Sequence, residues 1–240
     1  MKKLYERNEI WFAVLWIVAY CVAMVPIRGE LGDESPWMLA ALAIIAAGAT
    51  LFVKRHRLEG KYGLDRWPSK LGRYWHFIPL WVLATGNLWG DLGVSYGGLG
   101  QVWAVLSMAL IGYVEELLFR GFLFRALLKK DGVCPAVIIS AVTFGIGHIV
   151  NLLAGQASLE TLLQIFFAIA WGFIFTLVFL KSGSLWPCII AHAAIDVLSE
   201  FAASDAAGLI YSCATIVVAA VYCRHLIRQE TELAAEPAGQ

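Results

Sequence analysis

The chain has 240 residues, of which 60% are hydrophobic and 15% are charged, and its mean hydropathy is +0.72. Soluble domains have roughly 45 to 50% apolar and about 25% charged residues, so this composition excludes an ordinary soluble domain. Lys and Arg together number 18, as do Asp and Glu, which leaves no basic surplus for binding nucleic acid. The hydrophobic runs follow one another closely, so we predict one integral membrane domain over residues 1–240.

A helix needs about 20 apolar residues to cross the hydrocarbon core of a bilayer. The sequence therefore predicts an all-α polytopic membrane bundle of about eight transmembrane helices. The expected spans are 9–27, 36–53, 74–92, 102–124, 134–153, 160–180, 185–203 and 206–223. The first span is long and lacks a small-residue cleavage site, so we interpret it as a membrane anchor and not as a signal peptide. The polar composition of residues 225–240 predicts a short disordered tail.

Positive charge alternates between the loops, and Lys and Arg concentrate in loops on the cytoplasmic side of a membrane. The loops 28–35, 91–100 and 151–160 contain one Arg or none. With eight spans this alternation predicts a protein of the cell membrane whose N- and C-termini are both cytoplasmic. The basic residues of the other loops and ends are Lys2, Lys3, Arg7, Lys54, Arg55, Arg57, Lys61, Arg66, Lys70, Arg73, Arg125, Lys129, Lys130, Lys181, Arg224 and Arg228.

Ionisable side chains inside three of the spans mark the candidate functional site. Each such group costs about 2.5 to 3.5 kcal/mol near the bilayer centre, so it needs a partner or a function. Residues four apart share a helix face, which predicts an ion pair between Glu116 and Arg120 and a common face for His192 and Asp196. The groups are Glu115, Glu116 and Arg120 in the fourth span, His148 in the fifth, and His192 and Asp196 in the seventh.

Glu115 points away from the predicted ion pair and is left without a partner on its own helix. We expect its partners to come from the two later spans, with His148 and His192 meeting it near the midplane or on the cytoplasmic side. A carboxylate in an apolar pocket beside imidazoles can take a proton from water. Each residue alone also has a structural interpretation, as a packing histidine or a helix-to-helix hydrogen bond. Their concentration on three spans favours a site.

Three ordered strings, EELLFR (115–120), FGIGH (144–148) and HAAID (192–196), carry a resemblance to a known family. They resemble the motifs E-E-x-x-x-R, F-x-x-x-H, and His followed four residues later by Asn or Asp, of the CAAX protease and bacteriocin-processing family, also called the ABI or CPBP family. The resemblance implies a catalytic core over about residues 100–203. It also implies a glutamate-type intramembrane endopeptidase that needs no cofactor. Its partners would be the lipid bilayer and a peptide or a prenylated or lipidated protein.

The resemblance also implies roles for the residues. Glu115 would be the general base that activates a water, and His148 would hold or polarise that water. His192 with Asp196 would stabilise the oxyanion. An ionised Asp, where other members have Asn, only accepts hydrogen bonds, so we expect Asp196 to orient His192 as the donor. Glu116 and Arg120 would support the site as an ion pair.

Four other interpretations stay open at this stage. The same two histidines and a carboxylate could hold zinc in a membrane protease. The string GVSYG (93–97) matches the G-x-S-x-G pattern of serine hydrolases, which requires a strand-to-helix elbow. A transporter would use Gly145, Gly147 and Gly172 to loosen helices, although we expect these glycines to allow close helix packing. The fourth interpretation is a non-catalytic membrane protein with an immunity or scaffold role.

Overall fold

The computed structural model describes residues 1–68, 77–153, 155–203 and 205–235, with only the backbone given for 205–207 and 226–235. These residues form an all-α bundle, in which the only β feature is an isolated bridge between Leu92 and Ala202. The α-helices are α1 (Lys2–Arg7), α2 (Glu9–Leu31), α3 (Pro36–Arg55), α4 (Ile78–Ala84), α5 (Leu99–Glu116), α6 (Arg125–Asp131), α7 (Val133–Gly147), α8 (Ser158–Ser182), α9 (Trp186–Ser199) and α10 (Asp205–Ala235).

The long helices begin and end where side chains or glycine satisfy the backbone. The side chain of Asn8 accepts the Trp11 N–H at 3.0 Å at the start of α2, and Ser35 accepts the Trp37 N–H at 3.2 Å at the start of α3. Both residues are the side-chain N-caps that helices prefer. At the other end of α8, Gly183 adopts a left-handed conformation with φ 64°, which only glycine adopts at low cost.

The predicted all-helical membrane bundle is confirmed. In the part of the chain that the structure describes, six helical stretches are long and apolar enough to cross a membrane, and α9 is a shorter apolar helix. The six are Glu9–Leu31, Pro36–Arg55, Leu99–Asp131, Val133–Leu152, Ser158–Ser182 and Gly208–His225.

The third predicted span, 74–92, is broken. Its α-helix α4 covers seven residues, or about 10 Å, and is followed by a 3-10 turn over Gly86–Leu88. A Cβ at Gly86 would lie 1.9 Å from the ring of Tyr211, and the Asn87 amide donates to the Ile195 carbonyl at 2.7 Å. These tertiary contacts hold the segment against α9 and α10 in a non-helical form. Residues 74–76, like Lys70 and Arg73, lie outside the described residues.

The fourth predicted span is one continuous helical stretch from Leu99 to Asp131. Its middle, Leu117–Phe124, is a π-helix that joins α5 to α6. Such π segments are rare and often occur at functional sites, because they change which face of a helix a side chain occupies. Here the π-helix begins directly after Glu116 and contains Arg120.

Glycines let the central helices approach closely. A Cβ on Gly112 of α5 would lie 2.6 Å from the backbone nitrogen of Ala193 in α9, and one on Gly172 of α8 would lie 2.8 Å from the Cα of Ala141 in α7. A Cβ on Gly145 would likewise lie 2.8 Å from the Ile165 carbonyl oxygen. Close packing at Gly145 and Gly172 is therefore confirmed, whereas a Cβ on Gly147 would make only an ordinary contact at 3.8 Å. The contact at Gly112 brings the two glutamates of α5 next to α9.

The loops gather at two ends of the bundle, and most of the Lys and Arg residues lie at one of them. At this basic end, Lys61 donates to Tyr5 and Glu9, Lys129 donates to Glu9, and the Leu185 N–H donates to the Gly63 carbonyl. At the opposite, non-basic end lie the segments 28–36, 89–99, 148–153, 155–158 and 199–203. The placement of the basic end in the cytoplasm stays a prediction from charge.

The C-terminal helix is longer than the sequence predicts. Helix α10 continues to Ala235, through most of the tail 225–240 that composition predicts to be disordered. The string RQETELAA consists mainly of residues with high helix propensity, which accounts for the difference. Residues 236–240 lie outside the described residues.

Candidate active site

A buried carboxylate, Glu116, links two helices at the centre of the bundle. Its Oε1 accepts from Arg120 Nη1 at 2.9 Å and from His192 Nδ1 at 2.8 Å. Both Glu116 and Arg120 are fully buried, and His192 is 6% exposed. The predicted Glu116–Arg120 ion pair is thus confirmed, and the bond to His192 adds a partner from α9. Because a carboxylate only accepts hydrogen bonds, the proton of this bond belongs to His192 Nδ1.

Aromatic rings enclose these charges. The Arg120 guanidinium lies 4.0 Å from the ring centre of Phe144 and 5.2 Å from that of Phe175. The His192 ring stacks on Phe175 with centres 5.4 Å apart and meets Phe144 edge to face at 5.6 Å. A cation over an aromatic face is attracted by the ring quadrupole, and more strongly when it is desolvated. The enclosure therefore keeps the Arg120 guanidinium out of contact with water and fixes the orientation of the His192 ring.

The other nitrogen of His192 points away from Glu116. Its Nε2 lies 3.4 Å from Asp196 Oδ2 and 3.8 Å from Glu115 Oε2. His192 and Asp196 therefore share a helix face as the spacing predicts. The shorter contact to His192 comes from Glu116, which sequence analysis assigns only to the ion pair. Three carboxylates from two helices thus surround a single imidazole.

The nearest partner of Glu115 is one that sequence analysis missed. The Tyr20 hydroxyl, on α2, donates to Glu115 Oε1 at 2.8 Å. Our expectation that Glu115 finds its partners on two later helices is therefore incomplete, since the closest donor comes from an earlier one. Tyrosine is common in membrane helices, where its ring is apolar and its hydroxyl seeks a partner. The feature of the sequence that could have pointed to Tyr20 is that it is the one tyrosine within the first predicted span.

His148 lies where α7 changes into a 3-10 turn over His148–Leu152. Its Nδ1 is 3.1 Å from the carbonyl oxygen of Phe144. A carbonyl accepts, so Nδ1 carries a proton, and in the neutral ring Nε2 is left as an acceptor. The ring of Phe144 also packs against Arg120. Phe144 thus connects the motif EELLFR, which contains Arg120, with the motif FGIGH, which contains His148.

A cavity of about 180 Å³ unites the four predicted catalytic residues. Glu115, His148, His192 and Asp196 all line it, whereas Glu116 and Arg120 lie behind it. The cavity begins near the middle of the helical stretch Leu99–Asp131 and extends toward the non-basic end. The sequence predicts a meeting point near the midplane or on its cytoplasmic side. The four residues meet between the middle of the bundle and the non-basic end, because helix α7 carries His148 to its non-basic terminus. The side of the membrane on which this end lies stays a prediction.

The geometry also bears on two of the alternatives. Among the described residues, no group of three or more His, Cys, Asp or Glu side chains is arranged to hold a metal ion. Ser95 lies in the loop before α5 and donates to the Glu200 carbonyl at 3.0 Å. No strand-to-helix elbow is formed in this described loop, so the G-x-S-x-G pattern lacks the setting that its chemistry requires.

Fold and site define the class: a multi-pass membrane protein with carboxylates and histidines around a cavity inside the helix bundle. Residues 98–198, which include all three motifs, match the family model described as type II CAAX prenyl endopeptidase Rce1-like. This match covers less than half of the chain and supports the CAAX protease family that the motifs indicate, a family of membrane-embedded peptidases. No curated protein and no solved structure matches the chain.

The buried network yields a stability prediction. We expect Arg120→Met to lower the free energy of unfolding by about 3 to 5 kcal/mol, because it leaves Glu116 buried without its cationic partner. The free energy of unfolding is measured by denaturant titration of the purified protein in detergent micelles.

The matched control is Lys2→Met, since Lys2 and Glu6 have the same spacing but are 63% and 58% exposed. An exposed pair of this kind contributes little, so the control is expected to unfold like the wild type. Equal losses in the two variants would contradict a special role for the buried pair.

Proposed function

We propose that the protein is a glutamate-type intramembrane endopeptidase, which hydrolyses a peptide bond of a membrane-associated peptide or protein. The observation that carries the proposal is the convergence of Glu115, His148, His192 and Asp196 on one cavity. Peptide hydrolysis needs a base for the water, a donor for the oxyanion and an acid for the leaving amine. These side chains supply all three.

The attack begins with a water held between Glu115 and His148. Tyr20 occupies one oxygen of the Glu115 carboxylate, so the other oxygen, Oε2, takes the proton of the water. His148 Nε2 accepts the second hydrogen of the same water and aligns it. The water oxygen then bonds to the scissile carbonyl carbon, and the carbonyl oxygen becomes an oxyanion.

Collapse of the intermediate completes the reaction. In its imidazolium form, His192 donates Nε2–H toward the oxyanion while Glu116 holds the opposite nitrogen of the ring. Preorganised donors of this kind are usually the largest contribution to the catalysis of acyl transfer. The protonated Glu115 gives its proton to the departing amine as the C–N bond breaks, which restores its carboxylate. Asp196 orients His192 from the cavity side.

The test of this proposal is removal of the base and of the water-holding histidine. We expect Glu115→Gln and His148→Ala each to lower peptidase activity by at least about 100-fold, the usual contribution of general acid–base groups. Activity is measured by mass spectrometry as cleavage of a membrane-peptide library by the purified protein in proteoliposomes. The Glu115→Gln variant also serves to trap substrates, which are identified as co-purifying peptides.

Glu160→Gln is the matched control, because Glu160 is exposed in the first turn of α8. All three variants should unfold in detergent at the temperature of the wild type. If Glu115→Gln and His148→Ala keep wild-type activity or cellular effect, the proposal fails and a non-catalytic immunity or scaffold role is favoured.

Tyr20 gives a separate prediction about positioning. Removing its hydroxyl in Tyr20→Phe frees the Glu115 carboxylate to turn, and we expect kcat to fall about 10- to 100-fold with KM nearly unchanged. The control is Tyr113→Phe, since the Tyr113 hydroxyl shares a hydrogen bond with Thr50 Oγ1 at 2.6 Å and does not line the cavity. A rise in KM without a change in kcat would show that Tyr20 contacts substrate instead of holding Glu115.

We also propose that hydrolysis proceeds without a metal, against the alternative of a zinc protease that uses the same residues. Within the part of the chain that the structure describes, no group of three or more His, Cys, Asp or Glu side chains has the arrangement of a metal site. We expect treatment with 1,10-phenanthroline, followed by dialysis, to leave the rate of library cleavage unchanged. Loss of activity that returns on adding zinc would establish the zinc mechanism.

A further inference from the structure

The cavity has a defined direction. Its deep part holds the catalytic side chains, and its outer part is lined by polar residues from several segments of the non-basic end. No described residue of the basic end lines it. These outer residues are Arg28, Asn151, Gln164, Ser199 and Glu200.

A second cavity, of about 290 Å³, adjoins the first. The two share Arg28 and Asn151, and the second is otherwise formed by loop residues, among them Asp33, Tyr96 and Gln156. Burial and the nearby carboxylates raise the pKa of Tyr96 to about 12, so its hydroxyl remains a donor at neutral pH. A polar passage therefore leads from Glu115 out of the bundle at the non-basic end.

Charge assigns this end to one side of the membrane. Among the described residues, Arg28 is the one Lys or Arg of the non-basic end, and it is paired with Asp33 at 2.9 Å. The described part of the basic end includes Lys54, Arg125 and Lys130. Lys and Arg accumulate on the cytoplasmic side, so the passage faces away from the cytoplasm.

We propose that substrate enters through this passage from the non-cytoplasmic face, so that the protein cleaves peptide or protein segments exposed on that face and not tails in the cytoplasm. The cleavage itself rests on the proposed function, whereas the direction of access does not.

The chemistry of the passage fits an extended peptide with an apolar side chain near the scissile bond. Polar side chains at the mouth can bind the backbone amides of an extended strand. Deeper in, three of the four methionines of the chain, Met24, Met38 and Met108, line the wall. Methionine is flexible and polarisable, and it packs against apolar groups of varied shape. The passage thus favours an apolar residue near the scissile bond, but it does not require one particular type of apolar residue.

The direction of access is tested by thiol labelling, which needs neither substrate nor activity. Cys21 lines the cavity wall; it is kept as the sole reactive cysteine after replacement of the exposed Cys134 and Cys213 by Ser. Intact cells are treated with a membrane-impermeant cationic thiosulfonate, and modification of the purified protein is read by mass spectrometry. We expect Cys21 to be modified in intact cells. Modification that occurs only after permeabilisation overturns the proposal.

Two matched variants without Cys21 establish the orientation. Ser199→Cys reports the mouth, where Ser199 is exposed, and Lys130→Cys reports the basic end, where Lys130 is 69% exposed. We expect Ser199→Cys to react in intact cells and Lys130→Cys to react only after permeabilisation. The reverse pattern overturns the proposal.

Cleavage is then compared between vesicles of the two orientations. The peptide library is expected to be cut when added to right-side-out vesicles and left intact by inside-out ones. Cleavage by inside-out vesicles alone overturns the proposed entry side. Labelling from outside without cleavage in either orientation would refute the peptidase and leave the direction of access standing.

Discussion

The arrangement of the site depends on the carboxylate of Glu116, which binds Arg120 and His192 at the same oxygen. A buried charge that lacks its partner costs several kcal/mol, so helix α9 must lie where His192 reaches Glu116. Gly112 makes this approach possible by removing the side chain that would meet Ala193. The interaction therefore fixes two helices and one imidazole together, and the cavity forms on the free side of that imidazole.

The two adjacent glutamates have different surroundings because successive residues of a helix point about 100° apart. Glu116 faces a dry enclosure of aromatic rings, whereas Glu115 faces a cavity that holds polar groups. A structural charge is best kept from water, and a catalytic base must meet water. Placing them side by side on one helix satisfies both requirements. The family's E-E-x-x-x-R pattern thus describes one group that holds the site and one that we propose acts in it.

The spacing of residues within single helices predicts part of the fold and part of the candidate site. Hydropathy gave the all-α membrane bundle, and the i, i+4 spacing gave the pairs Glu116–Arg120 and His192–Asp196. The missing parts depend on long-range contacts. Tyr20 reaches Glu115 across 95 positions of the chain, and α4 is broken beside Gly86, where Tyr211 packs. No periodicity within one segment encodes such neighbours, so residue spacing alone does not identify the closest partner of Glu115.

The depth of the site depends on a small local change at the end of helix α7. A regular helix through His148 predicts a meeting point near the midplane or on its cytoplasmic side. Helix α7 instead ends at Gly147, and His148 opens a 3-10 turn near the non-basic end. With Glu115 at the middle of its helix, the four predicted catalytic residues can converge only in the half of the bundle that contains His148. The entry side that we propose depends on the same turn, because its residue Asn151 lines both cavities.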